Sequence, residues 1–134
     1  MGKIFIEENN VYQIDFTNTI WATDELNHIY HNANTPLCDV DWLAETENEI
    51  LFVEYKNANI QNVSNPNAFN PKEDKKINNI LKKYYDTLLY VNATGKSTDK
   101  KKIYIYILEY PKGDRISRKA VRNLIQPRLP FCLQ

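Results

Sequence analysis

Hydrophobic and polar residues alternate along two stretches in the first half of the chain, and this period of two is typical of β-strands. Residues 3–16 alternate around Asn9-Asn10, so they predict an N-terminal hairpin. Residues 39–44 and 50–56 alternate on either side of a polar break at Glu47-Asn48. These two stretches predict a second hairpin with a tight turn between its strands.

The rest of the chain is dominated by patterns of helical period. Thr17 or Asn18 is a suitable N-cap and predicts a helix of about ten to fourteen residues. Apolar residues at helical spacing predict a long helix over 72–91 and a last helix over 115–126. Residues 102–110 between them are apolar at both alternating sets of positions, as in an interior strand. Because that strand follows a long helix, a right-handed parallel crossover is expected, which predicts an α/β sandwich with a mixed sheet.

The second hairpin carries a surplus of acidic side chains. A turn at Glu47-Asn48 fixes the register and sets three pairs of residues opposite one another, namely Glu45 with Ile50, Asp41 with Glu54, and Asp39 with Lys56. Directly opposed Cβ atoms lie about 4.5–5.5 Å apart. Two carboxylates at that distance repel each other unless a cation lies between them, and a hard divalent metal is one such cation. The alternative is a charge ladder on the surface, with Asp39 and Lys56 as a cross-strand ion pair.

Composition favours one soluble globular domain over residues 1–134. No apolar run approaches the roughly 20 residues that cross a bilayer, so no membrane partner is expected. Two cysteines do not make a disulfide framework, and the first residues lead into a strand pattern and not into a signal peptide. We therefore expect a cytoplasmic protein.

A net charge of zero conceals an asymmetry between the two parts of the chain. Residues 1–60 hold eleven acidic and two basic residues, whereas residues 61–134 hold six acidic and fifteen basic ones. An acidic part that could hold a metal and a basic part that could hold phosphates suit an enzyme acting on nucleic acid. Two solvated faces that partly pair with each other are the alternative.

The acidic hairpin resembles the PD-(D/E)xK nuclease superfamily, which has the restriction-endonuclease-like fold. The resemblance rests on Asp41 at the start of one strand and on Glu54-Tyr55-Lys56 at the end of its partner. Two features depart from the family pattern. Val40 stands where the family has proline, and the strand expected between the first helix and the Asp41 strand is not evident. The resemblance implies a mixed central sheet flanked by helices.

The residues and the resemblance together predict a metal-dependent nuclease that hydrolyses DNA, with RNA as the second choice. Asp41 and Glu54 suffice for Mg²⁺, or Mn²⁺ in its place, because Mg²⁺ needs only one or two carboxylates beside waters and substrate phosphate. The resemblance adds the main-chain carbonyl of Tyr55 as a ligand. Lys56 projects to the same face as Glu54, where a cation can hold the attacking water and offset charge on the phosphorane.

Several other residues are candidates for supporting roles. Asp39 could assist as a further ligand, and the resemblance implies an acidic residue from the first helix, Glu25 or, as second choice, Asp24. Asn57 and Gln61 could touch the water or the phosphate, and the segment 57–71 could close over the site as a lid. Candidate phosphate-binding cations are Lys82, Lys83, Arg118, Lys119 and Arg122.

Two other classes of function stay open on the sequence. One is a non-catalytic domain of the same fold that serves as a nucleic-acid-binding or assembly subunit. The other is a general protein-interaction domain. Nucleases of this shape often dimerise to cut two strands, so a homodimer is a further expectation.

Overall fold

The computed structural model describes residues 3–7, 10–57, 70–96, 99–109 and 114–129. The elements in chain order are β1 (Ile4–Ile6), β2 (Gln13–Asp15), β3 (Trp21–Thr23), α1 (Leu26–Asn32), β4 (Trp42–Glu45), β5 (Glu49–Asn57), α2 (Asp74–Ala93), β6 (Lys101–Glu109) and α3 (Arg115–Ile125), followed by a 3-10 turn (Gln126–Arg128). No helix among these residues is long and apolar enough to cross a membrane.

The main sheet is mixed and has four strands in the order β3-β4-β5-β6. The first three strands are antiparallel, and β6 returns parallel to β5 after α2. Strands β1 and β2 form a separate antiparallel hairpin, in which Asn10 adopts a left-handed backbone conformation at the turn. The predicted α/β class with a mixed sheet is therefore confirmed, as are the two predicted hairpins.

Each face of the main sheet has its own hydrophobic core. Leu43, Ile50 and Phe52 face the helices and pack with buried side chains of all three of them. Trp42 and Val53 face the opposite way and pack against Phe5 and Phe16 from the N-terminal hairpin segment. In the described part of the chain the helices thus cover one face and the hairpin covers the other. The prediction that helices flank the sheet therefore holds for one of its two faces.

The prediction of a helix beginning at Thr17 or Asn18 is wrong. Residues Trp21–Thr23 instead form β3, which pairs with β4 along Trp21↔Glu45 to Thr23↔Leu43. The helix begins later, at Leu26, and ends at Asn32. A strand forms here because tertiary contacts override helical propensity. Pairing with β4 satisfies the backbone of three residues, and the Trp21 indole donates a hydrogen bond to the buried Glu45. The strand next to β4 therefore exists, but it precedes the first helix.

The second half of the chain folds close to its predicted boundaries. Helix α2 covers Asp74–Ala93, strand β6 covers Lys101–Glu109 and helix α3 covers Arg115–Ile125. Asp114 caps α3 by accepting a hydrogen bond from the Ser117 N–H at 2.7 Å. Of the predicted lid, residues 58–69 lie outside the described residues.

A candidate active site at one end of the sheet

The turn between β4 and β5 sets the register that was expected. Thr46 and Glu49 close the turn through a backbone hydrogen bond of 2.8 Å, and the ladder runs from Glu45↔Ile50 to Trp42↔Val53. One further step along both strands brings Asp41 opposite Glu54. Strand β4, however, covers Trp42–Glu45 and not the predicted 39–44, so Asp39 and Lys56 are not partners in the ladder.

The segment before β4 hydrogen bonds to side chains of α2 and not to a neighbouring strand. The Cys38 N–H donates to Asp86 Oδ2 at 2.8 Å, and the Val40 N–H donates to Thr87 Oγ1 at 3.1 Å. Asp41 follows directly, and its Oδ2 accepts a hydrogen bond of 2.8 Å from the Tyr55 N–H. These bonds explain why the strand begins late, and they fix the Asp41 carboxylate against the end of β5.

Glu54 is the most unusual residue of the site because it is buried at the end of a strand with only part of its polar surface satisfied. The side chain is 5% exposed, and its Oε2 is paired with Nζ of Lys83 on α2. Its Oε1 is buried and has no hydrogen-bond partner among the described residues. Buried polar atoms are nearly always bonded, so an unpartnered carboxylate oxygen points to a ligand or to stored strain.

The electrostatics of the site follow from this burial. Desolvation, together with the nearby charge of Asp41, raises the pKa of Glu54 to about 7, and Lys83 and the Asp41 backbone N–H offset these effects only in part. Burial lowers the pKa of Lys83, but the charges of Glu54, Asp41 and Asp39 outweigh it and leave that pKa above its usual value. Lys83 therefore faces three carboxylates at once.

Asp39 belongs to the same cluster, although it is not part of the strand. Burial raises its pKa, while the Asn27 amide, 3.4 Å away, and the charge of Lys83 act in the opposite direction. The phenols of Tyr84 and Tyr106 lie beside Glu54, and burial first and the Glu54 charge second raise the pKa of both. A carboxylate group surrounded by aromatic rings resists ionisation unless a cation is close.

Two lysines lie on the helix-facing side near Glu54, where the sequence predicted Lys56. Lys56 lies on the helix-facing side of β5 with Glu54 and is exposed, as expected for a group that meets substrate. Lys83, predicted as a phosphate-binding cation, instead contacts Glu54 directly. A sequence signal for this position does exist. Lys83 stands three residues after the buried Ile80 and four before the buried Thr87, at the border of the buried stripe of α2.

The remaining predicted supporting residues are dispersed. Glu25 is the N-cap of α1 and is exposed. Asp24, the second choice, lines a cavity of about 250 Å³ together with Asp41, Trp42 and Tyr55. Asn57 is buried at the end of β5, and Gln61 lies outside the described residues.

The five predicted phosphate-binding cations do not form one surface. Lys82 pairs with Asp86 at 2.6 Å on the exposed side of α2, and Lys83 belongs to the carboxylate cluster. Arg118 and Arg122 line a cavity of about 590 Å³ beside β6. Lys119 is exposed on α3 and is not among the described residues that line this cavity.

The carboxylates near Glu54 offer few protein ligands for a divalent metal. No group of three or more His, Cys, Asp or Glu side chains in the described ranges could hold a metal ion. Two carboxylates are nevertheless adjacent, and Glu54 Oε1 is a buried oxygen without a partner in the described structure. Mg²⁺ needs only one or two protein carboxylates because it retains several waters. The residues present therefore fit a Mg²⁺ or Mn²⁺ site of low protein-ligand number.

Comparison with known proteins gives no match to this chain. No family model fits the sequence, and no curated protein and no solved structure is significantly similar to it.

Proposed function

We propose that this chain is a metal-dependent nuclease that hydrolyses phosphodiester bonds in DNA, with RNA as the second choice. One observation carries the proposal, the buried Glu54 carboxylate with one unpartnered oxygen beside Asp41. Burying such an atom without a partner costs about 1–3 kcal/mol. A ligand bound to that oxygen would offset this free-energy cost. Hard cations are common ligands of carboxylate oxygens.

Glu54 Oε1 and the Asp41 carboxylate would hold Mg²⁺, with Mn²⁺ as a substitute, and the family resemblance adds the Tyr55 carbonyl. When bound, the ion would polarise the scissile phosphate and lower the pKa of a water molecule. Lys83 fixes Oε2 of Glu54 and so orients the other oxygen. Lys56, exposed on the same side of β5, would contact the attacking water or the phosphate and offset the charge that develops there.

A restriction-endonuclease-like fold is part of the proposal. The supporting features are the antiparallel β3-β4-β5 unit, the α2 crossover and the parallel β6, with the acidic pair at the end of β4 and β5. Helix α1 between β3 and β4 would be a departure from the family order. It adds Asn27, which hydrogen bonds to Asp39.

The test is cleavage of plasmid and single-stranded DNA in Mg²⁺ or Mn²⁺. We expect Asp41→Asn, Glu54→Gln and Lys56→Ala each to lower the rate by about 100-fold or more, the size typical for loss of a group that stabilises transition-state charge. Glu49→Gln on the same strand, near the opposite end of the sheet, is the control and should retain the rate. Absence of cleavage by the wild-type protein, or cleavage that survives these three substitutions, would contradict the proposal.

The second candidate is a non-catalytic nucleic-acid-binding or assembly subunit of the same fold. The observation that favours it is the Lys83 ammonium on Glu54, because a lysine can compensate the Glu54 carboxylate without any metal. Salt-dependent DNA binding without turnover, and no heat of Mn²⁺ binding in calorimetry, would select this candidate over the nuclease.

A further inference from the structure

Strand β6 has an open side. It pairs with β5 along all nine residues, and no strand of the described chain pairs with its other edge. Residues 103–108 contain no proline and no charge, and they are partly exposed along the whole strand. Long apolar edges are usually blunted or covered because their unpaired N–H and C=O groups pair readily with another chain.

A cavity of about 590 Å³ runs along this open edge. Its lining includes six consecutive residues, Lys101 to Tyr106. Consecutive strand residues point to opposite faces, so a cavity that touches all six must follow the backbone at the edge of the sheet. The opposite wall is one side of α3 with Val121, Arg122 and Ile125. The cavity is thus a groove between a strand edge and a helix.

The chemistry of the groove selects its occupant. The strand edge presents a row of backbone donors and acceptors, which only another extended backbone matches in spacing. On the helix wall, Val121 and Ile125 are apolar and suit apolar side chains of such a strand. Lys101, Lys102, Arg118 and Arg122 are basic, and no acidic residue is among the described residues that line the groove.

We propose that the groove between β6 and α3 binds an acidic peptide of another protein in extended conformation, as a fifth strand of the sheet. Backbone hydrogen bonds to β6 give the affinity. Every second side chain of the peptide faces α3, and this face carries both apolar side chains, which pack on Val121 and Ile125, and acidic ones. The acidic side chains pair with Arg118 and Arg122, which are exposed and four residues apart on α3. This proposal does not depend on nuclease activity, because neither Glu54 nor Asp41 lines the groove.

The test uses a fluorescein-labelled nine-residue peptide in which valine and glutamate take turns on one face and threonine occupies every position of the other face. Binding is measured by fluorescence anisotropy with the full chain. We expect Arg118→Glu combined with Arg122→Glu to weaken binding by about tenfold or more, since each exchange replaces attraction by repulsion. Arg115→Glu combined with Lys119→Glu makes the same charge change at exposed sites of α3 outside the groove and should alter affinity by less than about twofold. Equal losses in the two double variants would overturn the proposal.

Backbone pairing is tested with two methylated versions of the peptide, one N-methylated at odd and one at even positions. A strand that pairs along one edge directs alternate N–H groups toward β6, so only one of the two versions should lose binding. Equal binding by both versions would overturn strand addition. Failure of the peptide to bind would also overturn the proposal, as would tighter binding of a nine-nucleotide oligothymidine. A dimer in sedimentation analysis would favour a second copy of this chain as the occupant and would overturn it too.

Discussion

Among the described residues, two buried glutamates of the sheet pair with lysines, one at each end of the β4–β5 hairpin. They differ in how completely each carboxylate is hydrogen-bonded. Glu45 is 8% exposed, and its two oxygens accept hydrogen bonds from the Trp21 indole at 2.7 Å and from Lys100 at 2.6 Å. Glu54 is 5% exposed and has a lysine on one oxygen only. Both oxygens of Glu45 are therefore hydrogen-bonded, one to a neutral and one to a cationic donor. One oxygen of Glu54 is left for a ligand.

The surroundings of the two pairs sharpen this difference. Lys100 also donates to the Thr46 carbonyl at 2.9 Å, so it closes the hairpin turn. Lys83 instead faces Glu54, Asp41 and Asp39, which is one cation against three carboxylates. A buried ion pair with both carboxylate oxygens hydrogen-bonded serves the structure, and a pair with surplus negative charge is a candidate site. Burial and a lysine partner alone do not separate the two cases, but the unpartnered oxygen of Glu54 does.

The largest expected difference concerns the lysines. Lys100→Met leaves Glu45 Oε2 and the Thr46 carbonyl without this donor, so we expect it to lower the free energy of unfolding by about 3 kcal/mol. Lys83→Met should cost only about 1 kcal/mol at pH 7, because Glu54 can take up a proton near that pH. Urea unfolding of both variants measures the two changes in the free energy of unfolding. Equal costs would contradict the distinction between the two pairs.

The two glutamates should also differ in metal binding, with Glu54 as a ligand and Glu45 not. Mn²⁺ at about 100 times its dissociation constant should raise the free energy of unfolding of the wild-type protein by about 2.7 kcal/mol. Glu54→Gln should abolish this gain because it removes one of the two carboxylates, while Glu45→Gln should preserve it. Thermal unfolding with and without Mn²⁺ provides the measurement. Retention of the gain in Glu54→Gln would place the ion elsewhere.

The protonation of Glu54 provides a smaller effect in the metal-free protein. Its carboxyl carbon should titrate by NMR with a midpoint of about 7, against an ordinary value of 4.5. Asp41→Asn should lower this midpoint and Lys83→Met should raise it, because Asp41 opposes and Lys83 favours the ionised form. An ordinary midpoint, or no response to either substitution, would refute the electrostatic account.

The same shift has a consequence for stability. The folded protein keeps a proton on Glu54 that the unfolded chain releases near pH 4.5. The stabilising contribution is therefore complete below pH 4.5 and is lost as pH rises through about 7. Between these values the stability of the wild-type protein should fall relative to that of Glu54→Gln, and chemical unfolding at several pH values measures the difference.

The smallest effect is expected at Lys82, the neighbour of Lys83. Lys82 forms an ion pair of 2.6 Å with Asp86, but its side chain is 51% exposed. Water screens such a pair, so Lys82→Ala should shift the melting temperature by no more than about 2 °C. It should also leave the Glu54 titration unchanged. A shift as large as that of Lys83→Met would mean that exposure does not separate these adjacent lysines.

Local patterns in the sequence determined a large part of this protein. Alternation around a short polar turn sufficed for the β4–β5 hairpin and its register, and hence for the opposition of Asp41 and Glu54. Helical spacing with caps and prolines sufficed for α2 and α3, and the apolar run after α2 predicted β6. These features depend on residues close in the chain, where backbone geometry and side-chain period decide the outcome.

Packing between elements set which distant residues meet. Residues 21–23 became a strand because β4 offered a ladder and Glu45 offered a partner for Trp21. Lys83 reached Glu54, 29 residues away in the chain, because α2 packs over the end of β5. The open edge of β6 likewise depends on where α3 packs. Long-range packing sets these contacts, and with them the burial that raises the pKa of Glu54 and makes it the centre of the candidate site.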